Sequence, residues 1–388
     1  MKAKLKSLLQ SDLLINSGMI FSASFFGALF MFVSNLVLSR VFGPADFGMY
    51  KTVLGLFMFV PALVDFGGSA TLTKYIAEFL AKKEERKINY LVRFFFSVKV
   101  TASFVVGGLA YLFRSEIAVV FLKDASLAYL VLPGAVLAVF AVFELSKPVV
   151  TGFQKFKLLS VSNFLSAGAI GVASVVLGYY WGVYWAIVGW AVGYFIGNLI
   201  NFKFMVDWGL FRKVERFDIM SVLRRYSLPM YGMYLLNMFN VVIIPVLSLF
   251  FAPVLIGYYG FAWTFYAGIL LIPAALSRVL FPKISELIGR NDLRGAQNIL
   301  KKIFLYYSII VLVGIVGVLF LSEFVVMSVA PMYLPGLFIF KVLNITGLLL
   351  GYLFILNGYY NGTGQVKKSI LSMVIYNVLL LIVSFWIM

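Results

Sequence analysis

The chain has 388 residues, 63% of them hydrophobic and 12% charged, with a mean hydropathy of +1.01 and a formal net charge of +17. A soluble domain cannot hide that much apolar surface from water, so the solvent is lipid. With no Cys and no His, disulfides and most transition-metal sites are excluded for want of ligands, and no metal or cofactor is expected.

Apolar segments of about 20 residues, enough for a helix to cross about 30 Å of hydrocarbon, fill the sequence in series. Eleven are expected, at 14–39, 52–70, 92–113, 127–149, 158–180, 183–205, 228–250, 253–276, 303–321, 335–359 and 369–388. The first follows a basic start, but its apolar run exceeds the roughly 7 to 15 residues of a signal-peptide core, and it is expected to stay uncleaved. Its polar residues are uncharged: Asn16, Ser22, Ser24, Ser34 and Asn35. A Gly-Pro corner follows at 43–44, and the second span ends in Asp65, Phe66, Gly67 and Gly68. An acid inside a span costs roughly 2.5 to 3.5 kcal/mol at the bilayer centre and needs a partner. Asp65 either pairs with an interfacial cation such as Lys74 or binds a coupling H+ or Na+. Lys99, a third of the way along span three, either snorkels to the interface or serves function. Glu144 and Lys147, near the end of span four, read as a salt bridge at the loop. The stretch 207–227 mixes charges with Leu210, Phe211, Phe217 and Ile219 and reads as an interfacial helix joining two halves. Span seven holds Asn237, Asn240 and Ser248, and Arg278 follows span eight. Lys341, six residues past Pro335, is close enough to the surface to snorkel.

Between these spans, 26 of the 32 basic residues fall in alternate gaps. Only Arg40, Lys51, Arg114 and Lys123 lie in the others, with Lys99 and Lys341 inside spans. The asymmetry predicts a cytoplasmic N-terminus and an external C-terminus in the cytoplasmic membrane. Basic loops against anionic headgroups account for the positive charge without any nucleic acid.

The corner LSRVFGPADFGMY at 38–50 matches LSLFFAPVLIGYY at 247–259 at an offset of 209, pairing Pro44 with Pro253, Gly48 with Gly257 and Tyr50 with Tyr259. Near offset 211, Gln154 pairs with Gln365 and Lys157 with Lys368. The expectation is an all-α polytopic fold of two parallel six-helix repeats. Its parts are an N-terminal bundle at 1–206, a linker at 207–227 and a C-terminal bundle at 228–388. Span eleven then matches span five, so the second repeat lacks its last helix. The expectation is either a fragment of a longer frame or a protein that carries an unpaired bundle.

The corner motif, the second span ending LVDFGGSATLTKYIAE at 63–78, and IGYYGFAWTFYAGILLIPAALSRVLFPKISEL at 256–287 together resemble a known family. It is the polysaccharide and O-antigen flippases of the multidrug/oligosaccharidyl-lipid/polysaccharide exporter superfamily. The resemblance runs from about residue 12 to the end of the chain. It implies a MATE-like exporter fold, not an enzyme, and alternation between inward-open and outward-open states. The implied cargo is a polyprenyl-(pyro)phosphate-linked glycan, carried by a monomer among membrane lipids with H+ or Na+ coupling at Asp65. Relatives present cations to the pyrophosphate from helices one, two, seven and eight, and the matching positions here are Arg40, Lys51 and Arg278. Spans one and seven depart from that pattern, having amides but no mid-membrane charge. Asn237 and Asn240, with Tyr231, Tyr234, Tyr258, Tyr259, Trp263 and Tyr266, suit sugar better than phosphate, and Lys99 is a further cargo contact. A multidrug exporter of the same superfamily is the alternative, but its cationic drugs call for several buried carboxylates. A membrane glycosyltransferase would need an Asp-x-Asp motif and a sizeable extramembrane loop, and both are missing from this sequence.

Overall fold

In the computed structural model the backbone is described for residues 2–209 and 214–388, and the side chains of these except residues 2–18, 20, 21, 233, 236 and 237. Every regular element among the described residues is helical. In lipid this follows from the backbone: without water, each N–H and C=O must be paired within its own segment.

The first helical assignment, Lys2–Met58, is two helices meeting at Gly43, whose φ of 74° only a residue without Cβ adopts easily. The arms are α1 (2–42) and α2 (44–58), with Pro44 starting the second, as suits a residue with no N–H to donate. After the turn Val60–Leu63 come α3 (Gly68–Ala81), α4 (Glu85–Leu112) and α5 (Ala125–Gly152). These are followed by α6 (Phe156–Trp181), α7 (Val183–Asp207), α8 (Leu228–Asn237) and α9 (Phe239–Ser248). The last four are α10 (Pro253–Gly289), α11 (Leu293–Val329), α12 (Leu337–Gly362) and α13 (Val366–Ile387).

Nine helices among the described residues are long and apolar enough to cross a membrane, against eleven expected spans. Two local features make the difference. Spans one and two fall in one continuous segment, Ser22–Leu63, and span seven is interrupted at Met238. There the turn tightens, with Met238 N–H donating to Leu235 O at 3.1 Å and Val241 N–H to Met238 O at 2.9 Å. The basic gap after span eight is not a loop. α10 and α11 run on past their apolar stretches and meet at Asn291, which takes φ 58°. Asp292 caps α11 by accepting the Gly295 N–H at 2.7 Å. Glu286 supports the end of α10 by pairing with Lys283 at 2.9 Å and Arg290 at 2.6 Å.

The described chain falls into two compact units, 1–38 with 52–242 and 39–51 with 243–388. In the first, Leu72, Ile76, Leu91, Phe95, Val149 and Met205 form a core from α3, α4, α5 and α7. α6 and α7 pack along their lengths because Gly189, Gly193 and Gly197 bring their backbones together. A Cβ at any of these positions would collide with Ala173, Ile170 or Ser166.

In the second unit, α12 approaches α10 through Gly347, Gly358 and Gly362, which sit against Tyr266, Ser277 and Ile284. The corner at 39–51 belongs to this unit. Gly48 lies against the carbonyl of Pro253, and Gly257 against the carbonyl of Pro44, so that neither position has room for a Cβ. Two equivalent corners around a two-fold axis would make this reciprocal contact. Tyr333 closes the corner by donating to Ser39 O at 3.0 Å and stacking on Phe261 at 4.4 Å.

Candidate functional site

The helix that continues span two breaks at 64–67, in the last part of the expected span. Phe66 (φ 47°) and Gly67 (φ 76°) are consecutive left-handed residues, a conformation L side chains adopt only at a cost. Asp65 offsets part of that cost. Its Oδ2 accepts the Ser69 N–H at 3.1 Å and its Oδ1 the Ser69 hydroxyl at 2.6 Å, so it satisfies donors that the start of α3 would otherwise leave unpaired. Lys99, reaching from α4, donates to the same Oδ1 at 3.4 Å, and both side chains are 2% exposed.

Two sequence expectations are corrected here. Lys99 does not snorkel; it is enclosed and neutralises Asp65. Lys74 is not the partner of Asp65, for its Nζ lies 4.1 Å from the Tyr226 ring centroid and 4.8 Å from that of Tyr75. A chain with one acid and one base inside neighbouring spans satisfies both at the lowest cost by joining them.

α8 holds the break from the other side. Tyr231 donates its hydroxyl to Leu63 O at 2.7 Å, capping a carbonyl that the interrupted helix leaves free, and its ring lies 5.6 Å from that of Phe66. Just ahead of α8, Ser227 shares a 2.7 Å hydrogen bond with Thr71, and its carbonyl occupies the space where a Cβ on Gly67 would stand. The positions 209 residues further on are Ala274 and Ser308, uncharged and within the unbroken helices α10 and α11. Helical packing of this kind therefore does not require an ion pair. Sequence reasoning missed Ser69, Ser227 and the cap made by Tyr231, because all three act on backbone groups that only the break exposes.

The remaining expected site residues are dispersed. In the second unit Arg40 is exposed, while Lys51 is half-buried, its stem against Gly260 and its Nζ 5.1 Å from the Phe47 centroid. Arg278 is exposed on α10, 18 residues beyond Gly260, or roughly 27 Å along a helix. Arg40 and Lys51 thus flank one corner, and Arg278 does not join them. Lys341 is half-buried. Asn240 is half-buried with its Oδ1 unpaired, and the side chain of Asn237 lies outside the described residues. Of the expected aromatic surface, Tyr259 and Tyr266 are fully buried and bond across to α13, Tyr259 with Ser384 at 2.8 Å and Tyr266 with Tyr376 at 2.7 Å. Trp263 stacks on both. Glu144 and Lys147 form no ion pair; Lys147 instead lies 5.8 Å from the Tyr194 ring centroid. Among the described residues no cluster of His, Cys, Asp and Glu could hold a metal ion.

Comparison with known proteins fits this geometry. The chain is similar in structure to the lipid II flippase MurJ in an inward closed conformation, with 18% identity and a TM-score of 0.70, covering 92% of this chain and 78% of that one. It is also similar to an inward-facing multidrug resistance MATE family transporter of the MOP superfamily, with 14% identity, a TM-score of 0.69 and 93% of each chain covered. A bent form of the Vibrio cholerae MATE transporter VcmN gives 15% identity and a TM-score of 0.55, over 93% of this chain and 86% of that one. These likenesses establish an exporter fold. A search of curated protein sequences finds no match. The sequence profile described as "Polysaccharide biosynthesis protein" matches residues 13–288, well over half of the chain. The chain therefore carries several membrane-spanning helices on an exporter fold, and it belongs to the polysaccharide biosynthesis protein family.

Proposed function

We propose that this protein flips lipid-linked oligosaccharide or polysaccharide repeat units across the cytoplasmic membrane by alternating access. The observation that carries the reading is the family match over residues 13–288, supported by the likeness in fold to a lipid II flippase. The physical task is demanding. A sugar chain and its pyrophosphate cannot cross hydrocarbon without losing their hydration, at several kcal/mol for each unsatisfied polar group. A protein route must supply polar partners while the polyprenyl tail stays in lipid.

In this reading the cargo is a polyprenyl-(pyro)phosphate-linked glycan carried by a monomer with a cytoplasmic N-terminus. Arg40 and Lys51 attract the anionic headgroup on release, Arg278 meets it at the opposite end of α10, and Asn237 and Asn240 contact sugar. Asp65 takes the coupling H+ or Na+, and Lys99, its internal counter-ion, meets the cargo headgroup when the pair opens. The fold is shared with multidrug exporters, and the family profile is what favours glycolipid over drug.

The test is complementation of a flippase-deficient strain, with accumulated lipid-linked oligosaccharide as the readout. Growth is restored and accumulation relieved if the reading holds. Replacing both Arg40 and Lys51 by Gln should leave the protein abundant and inserted but cut flipping by about thirtyfold, as expected for two lost charge-assisted contacts of roughly 1 kcal/mol each. No complementation by the unchanged, well-expressed chain would defeat the reading.

A further inference from the structure

A second polar constellation lies within the first unit and takes no part in holding the helix break. On α7 one face is consumed by the glycine contact with α6. The neighbouring stripe carries Trp190, Tyr194 and Asn198 at four-residue spacing, so their side chains stand one above another. The rings of Trp190 and Tyr194 stack with centroids 6.3 Å apart, and Asn198 donates its amide to Tyr194 O at 2.8 Å. That leaves two polar atoms with no partner in the protein, the Tyr194 hydroxyl and Asn198 Oδ1, on residues only 8% and 0% exposed. Exchanging the amide's O and N would still leave one of them unpaired.

Other polar groups converge on this stripe. Half-buried Glu144, from α5, lies beside the Tyr194 hydroxyl, and Tyr234 of α8 lies within electrostatic reach of Glu144. Lys147 sits over the edge of the same tyrosine, 5.8 Å from its centroid. Three helices thus bring a carboxylate, an amide oxygen, two phenols and an ammonium together.

Stability does not account for such a cluster. A buried polar atom without a partner costs about 1–3 kcal/mol, and Phe or Leu would avoid that cost at Tyr194 and Asn198. The chemistry also selects among ligands. Glu144 and Lys147 balance in charge, as do Asp65 and Lys99, so neither set leaves a surplus cation for a pyrophosphate. Acceptors and phenol donors beside aromatic ring faces are what sugar hydroxyls bind.

Resting on the lipid-linked glycan reading above, we propose that Glu144, Tyr194, Asn198 and Tyr234 form a subsite for an uncharged sugar of the cargo headgroup, separate from the residues that meet its phosphates. The contact is with hydroxyls, and Glu144 and Asn198 supply the acceptors.

The test compares two probes on the full chain in lipid nanodiscs: undecaprenyl pyrophosphate bearing a short neutral oligosaccharide, and the same lipid without sugar. Tyr194→Phe, Asn198→Leu and Glu144→Gln are each expected to weaken binding of the glycosylated lipid by about five- to tenfold, the scale of one hydrogen bond in a buried site. Binding of the bare lipid should not change. Tyr194→Phe removes only an unpartnered hydroxyl, so it should fold as the parent does and keeps the test valid if the other variants do not. Equal weakening for both lipids, or no weakening in Tyr194→Phe and the other folded variants, overturns the subsite alone. No binding of either lipid by the unchanged chain overturns the transport reading, and the subsite with it.

Discussion

Asp65 and Lys99 make opposite demands on their surroundings that only the pair resolves. Each alone would be a charge in an apolar interior, and removing one partner of such a pair costs about 3–5 kcal/mol, because the survivor is left uncompensated. Removing both together leaves no stranded charge. Lys99→Met is therefore expected to lower thermal stability in detergent sharply, and Lys99→Met with Asp65→Asn to recover much of the loss. Asp65 also caps α3 by accepting from Ser69 with both oxygens; Asn keeps one of these acceptors, so the double variant should remain below the parent by about 1 kcal/mol, the worth of one hydrogen bond. Scanning fluorimetry on the two variants decides it. Equal destabilisation by single and double changes would mean that the pair is not what holds this site. The same experiment bears on coupling: a double variant that folds but no longer responds to a proton or sodium gradient supports Asp65 as the coupling residue.

At the scale of elements, the glycines divide into those that carry a close approach and those that do not. Gly193 meets the backbone of Ile170, and Gly67 combines φ 76° with the carbonyl of Ser227, whereas Gly168 has nothing within 4 Å of where a Cβ would be. Gly193→Ala should push α6 from α7, and Gly67→Ala should strain the break; a left-handed residue with a Cβ costs roughly 1–2 kcal/mol before any collision. Gly168→Ala should be neutral or stabilising by up to about 1 kcal/mol, the helix-propensity difference. Melting temperatures that fall alike for all three would show that spacing along the helix, rather than contact, governs these positions. The break in span two and the interruption at Met238 are two irregular places within the spans, the 3-10 segment Ala141–Leu145 of α5 being another, and α8 connects the first two, running from Tyr231 to Asn237. Interrupted helices inside lipid persist only where side chains re-satisfy the freed backbone groups, as Tyr231 does for Leu63.

At the scale of the whole molecule, the distribution of Lys and Arg predicts the orientation. With 26 basic residues in one set of gaps and four in the other, the positive-inside rule gives one sign throughout. Because the natural chain has no Cys, single cysteines report without background. One at Lys87 or Arg216 should react with a membrane-impermeant thiol reagent only when the cytoplasmic face is opened, and one at Gly182 from outside intact cells. Reaction of all three from the same face would reject the orientation. The repeat belongs to this scale as well. The reciprocal fit of Gly48 on Pro253 and Gly257 on Pro44 supports a duplicated corner, since both matches involve the residues that the offset of 209 aligns.

The solvent, the helical class, the approximate spans and the family resemblance are legible in the amino-acid order, because each of these depends on quantities that add along the chain: apolar length, charge per gap, and Gly and Pro at fixed spacing. The sequence located Asp65 and Lys99 as expensive residues and the corner residues as structural. Which side chains meet depends on packing. That Asp65 pairs with Lys99 rather than Lys74, that Glu144 turns inward beside Tyr194 instead of pairing with Lys147, and that Arg278 stands far along α10 from Lys51 all depend on helix rotation and breaks. Rotating a helix by one residue turns a side chain through about 100°, a change that hydropathy along the sequence does not register. The polar stripe Tyr194 and Asn198 was present in the sequence at helical spacing. That Tyr194 and Asn198 keep polar atoms without partners follows from packing, with α6 occupying the adjacent glycine face of α7.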